Sequence, residues 1–267
     1  GSRGTAAMEI TGGTNSDTII MNATGDVLTG GDGTAKDTLK IVSNGVIGGY
    51  VVDLSATGDQ VTTLAGAANT AVQSGFENVD LSGVTGTFGA DLTANKVGST
   101  ITATANIDQI TGGAGADTIT GGAGADVISV GAGADKVILD YTLDSTTNFD
   151  TISGFTSTSD KIQLSAADID GKITGTPLAS LIGADADGTA GTELGVAGGT
   201  SVGIFANAAG LTGGSIAGST DGETVIYLTD VAQVYINDDG ATAGGLTLIA
   251  DLGSALTLAV TDFQFIA

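Results

Sequence analysis

Four aspartates stand nine residues apart, at Asp108, Asp117, Asp126 and Asp135. Three of them close near-copies of one phrase: GGAGADTIT (Gly112–Thr120), GGAGADVIS (Gly121–Ser129) and VGAGADKVI (Val130–Ile138). In each copy glycines crowd the first positions, the carboxylate is sixth and Ile or Val is eighth. Glycine reaches positive φ without a Cβ clash and lets carbonyl oxygens approach a ligand. Aspartate adds a hard anionic oxygen. Carbonyls and carboxylates together make the oxygen-rich nest that calcium takes, with about six to eight ligands. Gly112, Gly113, Gly115, Gly122, Gly124 and Gly133 are therefore candidate metal-site residues beside the aspartates.

Such turns need elements that hold them in a row. In the first copy Thr118, Ile119 and Thr120 alternate polar, apolar, polar, as a short strand should. Ile119, Ile128 and Val137 recur in phase and can face one interior. Two nonapeptides then make one coil of a flattened solenoid with a turn on either edge, and turns stack on alternate repeats. This register predicts Asp117 beside Asp135, and Asp108 beside Asp126. Bare carboxylates at the strand spacing of roughly 5 Å repel one another. With calcium between them they become shared ligands, and the ion clips each coil to the next.

Weaker copies flank the regular ones. ATANIDQIT (Ala103–Thr111) keeps Asp108 and Ile110, and LDYTLD (Leu139–Asp144) keeps only Asp144 at the right spacing. Near the N-terminus GGTNSDTII (Gly12–Ile20) offers Asp17, and MNATGDVLT (Met21–Thr29) offers Asp26. GGDGTAKDTLKI (Gly30–Ile41) offers Asp37 after two extra residues, with Asp32 as an additional ligand. The expected ions are several Ca²⁺.

Composition agrees with cations as partners. The 267 residues carry 30 Asp and Glu against 7 Lys and Arg, a net charge of −23. The cations are scattered, so no basic patch exists to bind nucleic acid. Self-repulsion on this scale opposes a compact state unless cations bind. There is no Cys and no His, which excludes disulfides, thiolate zinc sites and any triad with a His base. No apolar run approaches the roughly 18 residues that span a bilayer, so no membrane insertion is expected. No N-terminal signal peptide is visible, and Gly1–Ser2 reads as an added leader on a piece of a longer protein. With 45 Gly, 1 Pro and 4% aromatics, the core is built of Ile, Val, Leu and Ala on many short strands.

Other motifs carry less. DADGTAGTE (Asp185–Glu193) begins like an EF-hand loop, but Gly188 is fourth and Glu193 ninth where that loop needs them sixth and twelfth. It reads as a solvated loop. The Thr-x-Thr pairs look like an ice-binding face, yet alternation in any β-solenoid produces them. The GGAG strings lack a P-loop Lys-Ser/Thr and a following helix pattern. With no Trp to build a sugar platform, a paired-carboxylate hydrolase is not expected, and the chain is read as no enzyme.

The repeats resemble the RTX, or haemolysin-type calcium-binding, nonapeptide GGxGxDxUx, in which U is a large apolar residue. The likeness extends to FDTISGFTSTSDKIQLSAADI (Phe149–Ile169), similar to segments that close RTX rolls, and to the C-terminal VTDFQFIA, which resembles the uncleaved tail of type I secretion substrates. GGDGTAKDTLKIV followed by GFENVDLSG resembles RTX-type bacterial surface-layer proteins. These likenesses imply a secreted protein on the surface of a Gram-negative bacterium, exported by type I secretion machinery.

The expected fold is all-β: a right-handed parallel β-roll or β-solenoid with calcium-binding nonapeptide turns and a C-terminal β cap. Residues 1–102 read as an irregular β-solenoid with N-terminal repeats, 103–144 as the regular calcium roll, and 145–267 as a largely antiparallel cap with a secretion-like tail. Strands are expected at DTLKIV, YVVDLS, ENVDLS and STITAT, a hairpin over Thr224–Asp238, and a helical turn or two at each of DLTANKV and SAADI. The expected function is a calcium-dependent structural protein of surface-layer or adhesin type that folds and self-associates on binding extracellular Ca²⁺. The alternative is the secretion and folding module of a secreted protease or lipase whose catalytic domain lies elsewhere.

Overall fold

Short alternating segments punctuated by glycine give strands, and the computed structural model is built of them. It describes residues 7–42, 48–139, 147–165, 192–194, 202–205, 211–212, 215–216, 225–228, 231–237, 246–254 and 256–266. Among these the one helical segment is a 3-10 turn, Val260–Asp262. None of the described helices is long and apolar enough to cross a membrane. The chain divides into two compact units, Gly1–Val137 and Ile138–Ala267.

In the first unit the strands are β1 (Glu9–Thr11), β2 (Thr18–Met21), β3 (Val27–Thr29), β4 (Thr38–Ile41), β5 (Tyr50–Asp53), β6 (Val61–Leu64), β7 (Ala67–Ala68) and β8 (Gln73–Ser74). They continue with β9 (Asn78–Asp80), β10 (Ala90–Thr93), β11 (Thr100–Thr102), β12 (Gln109–Thr111), β13 (Thr118–Thr120) and β14 (Val127–Ser129), and β15 (Lys136–Leu139) begins as the unit ends. Consecutive strands of the repeats do not pair. Every second one does, in parallel: β10 with β12 and β12 with β14, and β9 with β11 and β11 with β13. Ile110 lies against Ile128, and Ile101 against Ile119, so one coil is two nonapeptides. Ile101, Ile110, Ile119, Ile128 and Val137 are at most 1% exposed. Each buried Ile or Leu side chain removed from water in this way contributes roughly 1.5–3 kcal/mol.

Upstream the coils are irregular. β2 pairs with β4 and β4 with β9, while β1, β3 and β8 form a separate parallel sheet. A long insertion folds β5, β6 and β7 into antiparallel pairs. Buried Gln60 pins it, donating to the carbonyls of Leu54 and Phe76 at 3.1 and 2.9 Å and accepting the Phe76 amide at 3.0 Å. The expected helical turn at Asp91–Val97 is absent. Its first residues complete β10, because Leu92 (0% exposed) and Ala94 (1%) are needed in the stacked core.

The second unit contains β16 (Asp150–Ser153), β17 (Lys161–Ser165), β18 (Thr192–Leu194), β19 (Val202–Phe205), β20 (Leu211–Thr212), β21 (Ser215–Ile216), β22 (Val225–Leu228), β23 (Gln233–Asn237), β24 (Leu246–Asp251) and β25 (Phe263–Ile266). The hairpin read over Thr224–Asp238 is present as antiparallel β22 and β23, and β24 extends it. The cap is nevertheless mixed rather than largely antiparallel: β16 pairs with β24, β17 with β25 and β19 with β22, all in parallel. Of SAADI, all but Ser165 lies outside the described residues, as does nearly all of Asp185–Glu193.

Candidate metal centre

Each turn carboxylate sits one residue before a strand, so the strand register fixes which carboxylates are neighbours. The Asp117 amide donates to Asp135 Oδ1 at 2.8 Å, and the Ser99 amide to Asp117 Oδ1 at 2.7 Å. On the alternate turns the Asp108 amide donates to Asp126 Oδ1 at 2.8 Å, and the Ala90 amide to Asp108 Oδ1. The N-terminal repeats behave alike: Asp17 N to Asp37 Oδ1 at 2.8 Å, and Met8 N to Asp26 Oδ1 at 3.1 Å. The expected pairings of Asp117 with Asp135 and Asp108 with Asp126 are thus present. One oxygen of each carboxylate is already committed to the backbone of the preceding coil. Asp26, Asp37, Asp108, Asp117, Asp126 and Asp135 are all at most 2% exposed.

The second oxygen faces the turn. Asp17, Asp108 and Asp117 use Oδ2 to accept the amide four residues earlier, from Gly13, Thr104 and Gly113 at 2.5, 2.9 and 2.9 Å. Asp26 Oδ2 is buried with no hydrogen-bond partner among the described residues. Where a glycine opens the repeat, it keeps space beside this oxygen. A Cβ on Gly121 would lie 2.2 Å from Asp126 Oδ2, one on Gly12 2.7 Å from Asp17 Oδ2, one on Gly30 2.9 Å from Asp37 Oδ2, and one on Gly112 3.1 Å from Asp117 Oδ2. The fourth-position glycines supply the turn itself, with φ of +122° at Gly124 and +146° at Gly133, values closed to most side chains. Gly122, at the second position, has φ +92°.

Asp32 does not join this array; it is exposed in the wide turn before Asp37. Asp144 lies outside the described residues. Two members of the array were not among the sequence candidates. Glu77 accepts the Asp37 amide on Oε2 at 2.9 Å and so occupies the carboxylate position one coil on. Only the pairing of β4 with β9 shows this, because an irregular insertion separates them. Ser99 occupies the same position in its coil and accepts the Asn95 amide at 2.8 Å. In that turn, which has no carboxylate, the Lys36 ammonium donates to the carbonyls of Gly98 at 2.6 Å and Val97 at 3.5 Å.

A family model for the RTX calcium-binding nonapeptide repeat, in four copies, matches residues 102–137. The chain carries RTX calcium-binding repeats. No curated protein matches the chain. The RTX segment takes in Asp108, Asp117, Asp126 and Asp135, the four carboxylates whose amide-to-carboxylate bonds are the most regular.

The donor set of the RTX turns fits calcium. It is all oxygen, it is anionic, and its glycine cradles would be filled by any side chain. Among the described residues no three Asp or Glu side chains converge on one point. An ion held here would therefore take carboxylates from neighbouring coils and complete its shell of about six to eight ligands with turn carbonyls and water. Burial raises the Asp108 carboxyl to about 6, although hydrogen bonds from the Ala90 amide and from the Thr104 amide and hydroxyl act in the opposite direction. A buried acid held near neutrality is one that a cation can ionise.

Proposed function

We propose that this chain is a calcium-dependent structural protein of a Gram-negative cell surface, of surface-layer or adhesin type, which folds and self-associates in extracellular calcium. Asp108, Asp117, Asp126 and Asp135 act as ligands from the regular turns, Asp17, Asp26 and Asp37 from the N-terminal ones, and Asp144 beyond them. The chain itself is non-catalytic, and its tail is read by type I secretion machinery. The observation that carries the reading is the stack of buried carboxylates, with a glycine-made space beside Asp17, Asp37, Asp117 and Asp126. A net charge of −23 and ligands that gather only when coils stack make metal binding and folding one event. Extracellular calcium modules bind at roughly 10⁻⁴–10⁻³ M, so such a chain stays unfolded in the cytosol and folds outside. Circular dichroism tests this: a β signal that grows severalfold between excess EGTA and millimolar Ca²⁺ is expected. An unchanged β spectrum in chelator would remove the reading.

A further inference from the structure

The turn Phe155–Asp160, between β16 and β17, has the build of the calcium-type turns. Asp160 is 1% exposed and accepts the amide of Thr156, four residues back, on Oδ2 at 2.7 Å, as Asp117 accepts Gly113. Ile162, two residues on, is fully buried, as is Ile119 after Asp117. Thr158 stands two residues before Asp160, where Gly115, Gly124 and Gly133 precede their aspartates. Its φ is +72°, a region that β-branched residues enter only when something holds them there.

What holds it is an anion. Asp262, 0% exposed, accepts the Thr158 amide on Oδ1 at 2.8 Å, and the Ser157 hydroxyl and Ala259 amide on Oδ2 at 2.6 and 2.8 Å. The Lys161 ammonium lies 3.4 Å from Oδ1. Asp262 immediately precedes β25, which pairs in parallel with β17, placing Phe263 against Ile162. The turn thus presents the Thr158 amide, the Ser157 hydroxyl and the Lys161 ammonium to the Asp262 carboxylate, both of whose oxygens are taken by donors. The calcium-type turns also give an amide to the next carboxylate, but here an ammonium stands beside it, and that charge repels a calcium ion.

We propose that Phe155–Lys161 is a repeat whose polarity is inverted, from cation binding to carboxylate binding, and that seating Asp262 in it docks the C-terminal strand without a calcium ion of its own. The inversion rests on the calcium reading of the roll, whereas the docking of the strand by Asp262 does not. The test uses the full chain in saturating calcium, with amide hydrogen exchange at Phe263–Ile266 and counting of bound calcium. Asp262→Asn should speed exchange of that strand by about tenfold or more, the expected loss on weakening a charge-assisted set, and leave the calcium count and protection of Ile119 and Ile128 unchanged. Ser157→Ala should give a smaller acceleration of the same strand. Thr158→Gly should preserve docking and raise the melting temperature, because glycine adopts the same φ freely. Unchanged exchange in both Asp262→Asn and Ser157→Ala overturns the docking role. Loss of a calcium ion in Asp262→Asn overturns the inverted polarity, since it makes the turn a metal site.

Discussion

A carboxylate with one oxygen on the neighbouring backbone and the other beside a glycine has two separable duties, and substitutions should separate them. Asp126→Ala removes the acceptor of the Asp108 amide, leaving a buried donor unpaired at about 1–3 kcal/mol. It also removes a ligand between two coils. Calcium stoichiometry by titration calorimetry should fall, and the melting temperature with it. Asp32→Ala, at an exposed position, should leave the stoichiometry unchanged and shift stability by no more than about 0.5 kcal/mol, the usual range for surface substitutions. Equal effects would refute the register. Asp108 adds a pH signature. Its carboxyl moves from the ordinary 3.8 to about 6 in the folded chain, so between these values the folded state holds more protons than the unfolded one. The metal-free fold therefore loses stability as pH rises through that window. Calcium favours the carboxylate and removes this slope, so in saturating calcium the melting temperature should not fall as pH rises from about 4 to about 6, as thermal melts across that range measure. A fall in saturating calcium would show that Asp108 is not a ligand.

At the scale of the element, the short strands stack because the turns permit it. A Cβ on Gly112 would sit 1.9 Å from the Val130 carbonyl oxygen of the next coil. Gly112→Ala should thus destabilise by about 1–3 kcal/mol or more, as overpacking does, read from thermal melts at fixed calcium. A melting temperature within a degree or so of wild type would mean that the turns are looser than this geometry. These elements were legible in the sequence because a nine-residue phrase repeats carboxylate, apolar residue and glycine in one phase. Ile119 and Ile128 have only one interior to face, and Asp117 then has only one neighbour. Where the phase breaks, legibility fails for a physical reason. Glu77 belongs to the array through the pairing of Leu39 with Val79, across an insertion whose length no periodicity records. Ser99 carries no charge to mark it. Asp91–Val97 looked helical locally, but its Leu92 and Ala94 are fixed by stacking, which outweighs intrinsic propensity. The anion-binding turn was hidden because its partner, Asp262, is distant in sequence and no local spacing links the two.

Over the whole molecule, charge and exposed apolar surface oppose each other. Thirty acidic residues against seven basic ones keep metal-free chains apart. Yet Phe88 is 43% and Ile107 67% exposed, and both line an open cavity of about 380 Å³ beside β5 and β10. Calcium in the turns lowers the repulsion without covering this surface. A parallel stack also has end strands whose backbone groups seek partners. Oligomers or two-dimensional sheets should therefore form as calcium rises, followed by light scattering and negative-stain microscopy. Magnesium should substitute poorly, because it demands octahedral geometry and gives up water reluctantly. Phe88→Ser with Ile107→Ser should weaken assembly while leaving the calcium count unchanged, which separates association from ion binding. The decisive arm is the wild-type protein at saturating calcium. If it remains monomeric at every concentration, the surface-layer reading fails, and the secretion and folding module of a secreted enzyme becomes the better account of the same calcium-clipped coils.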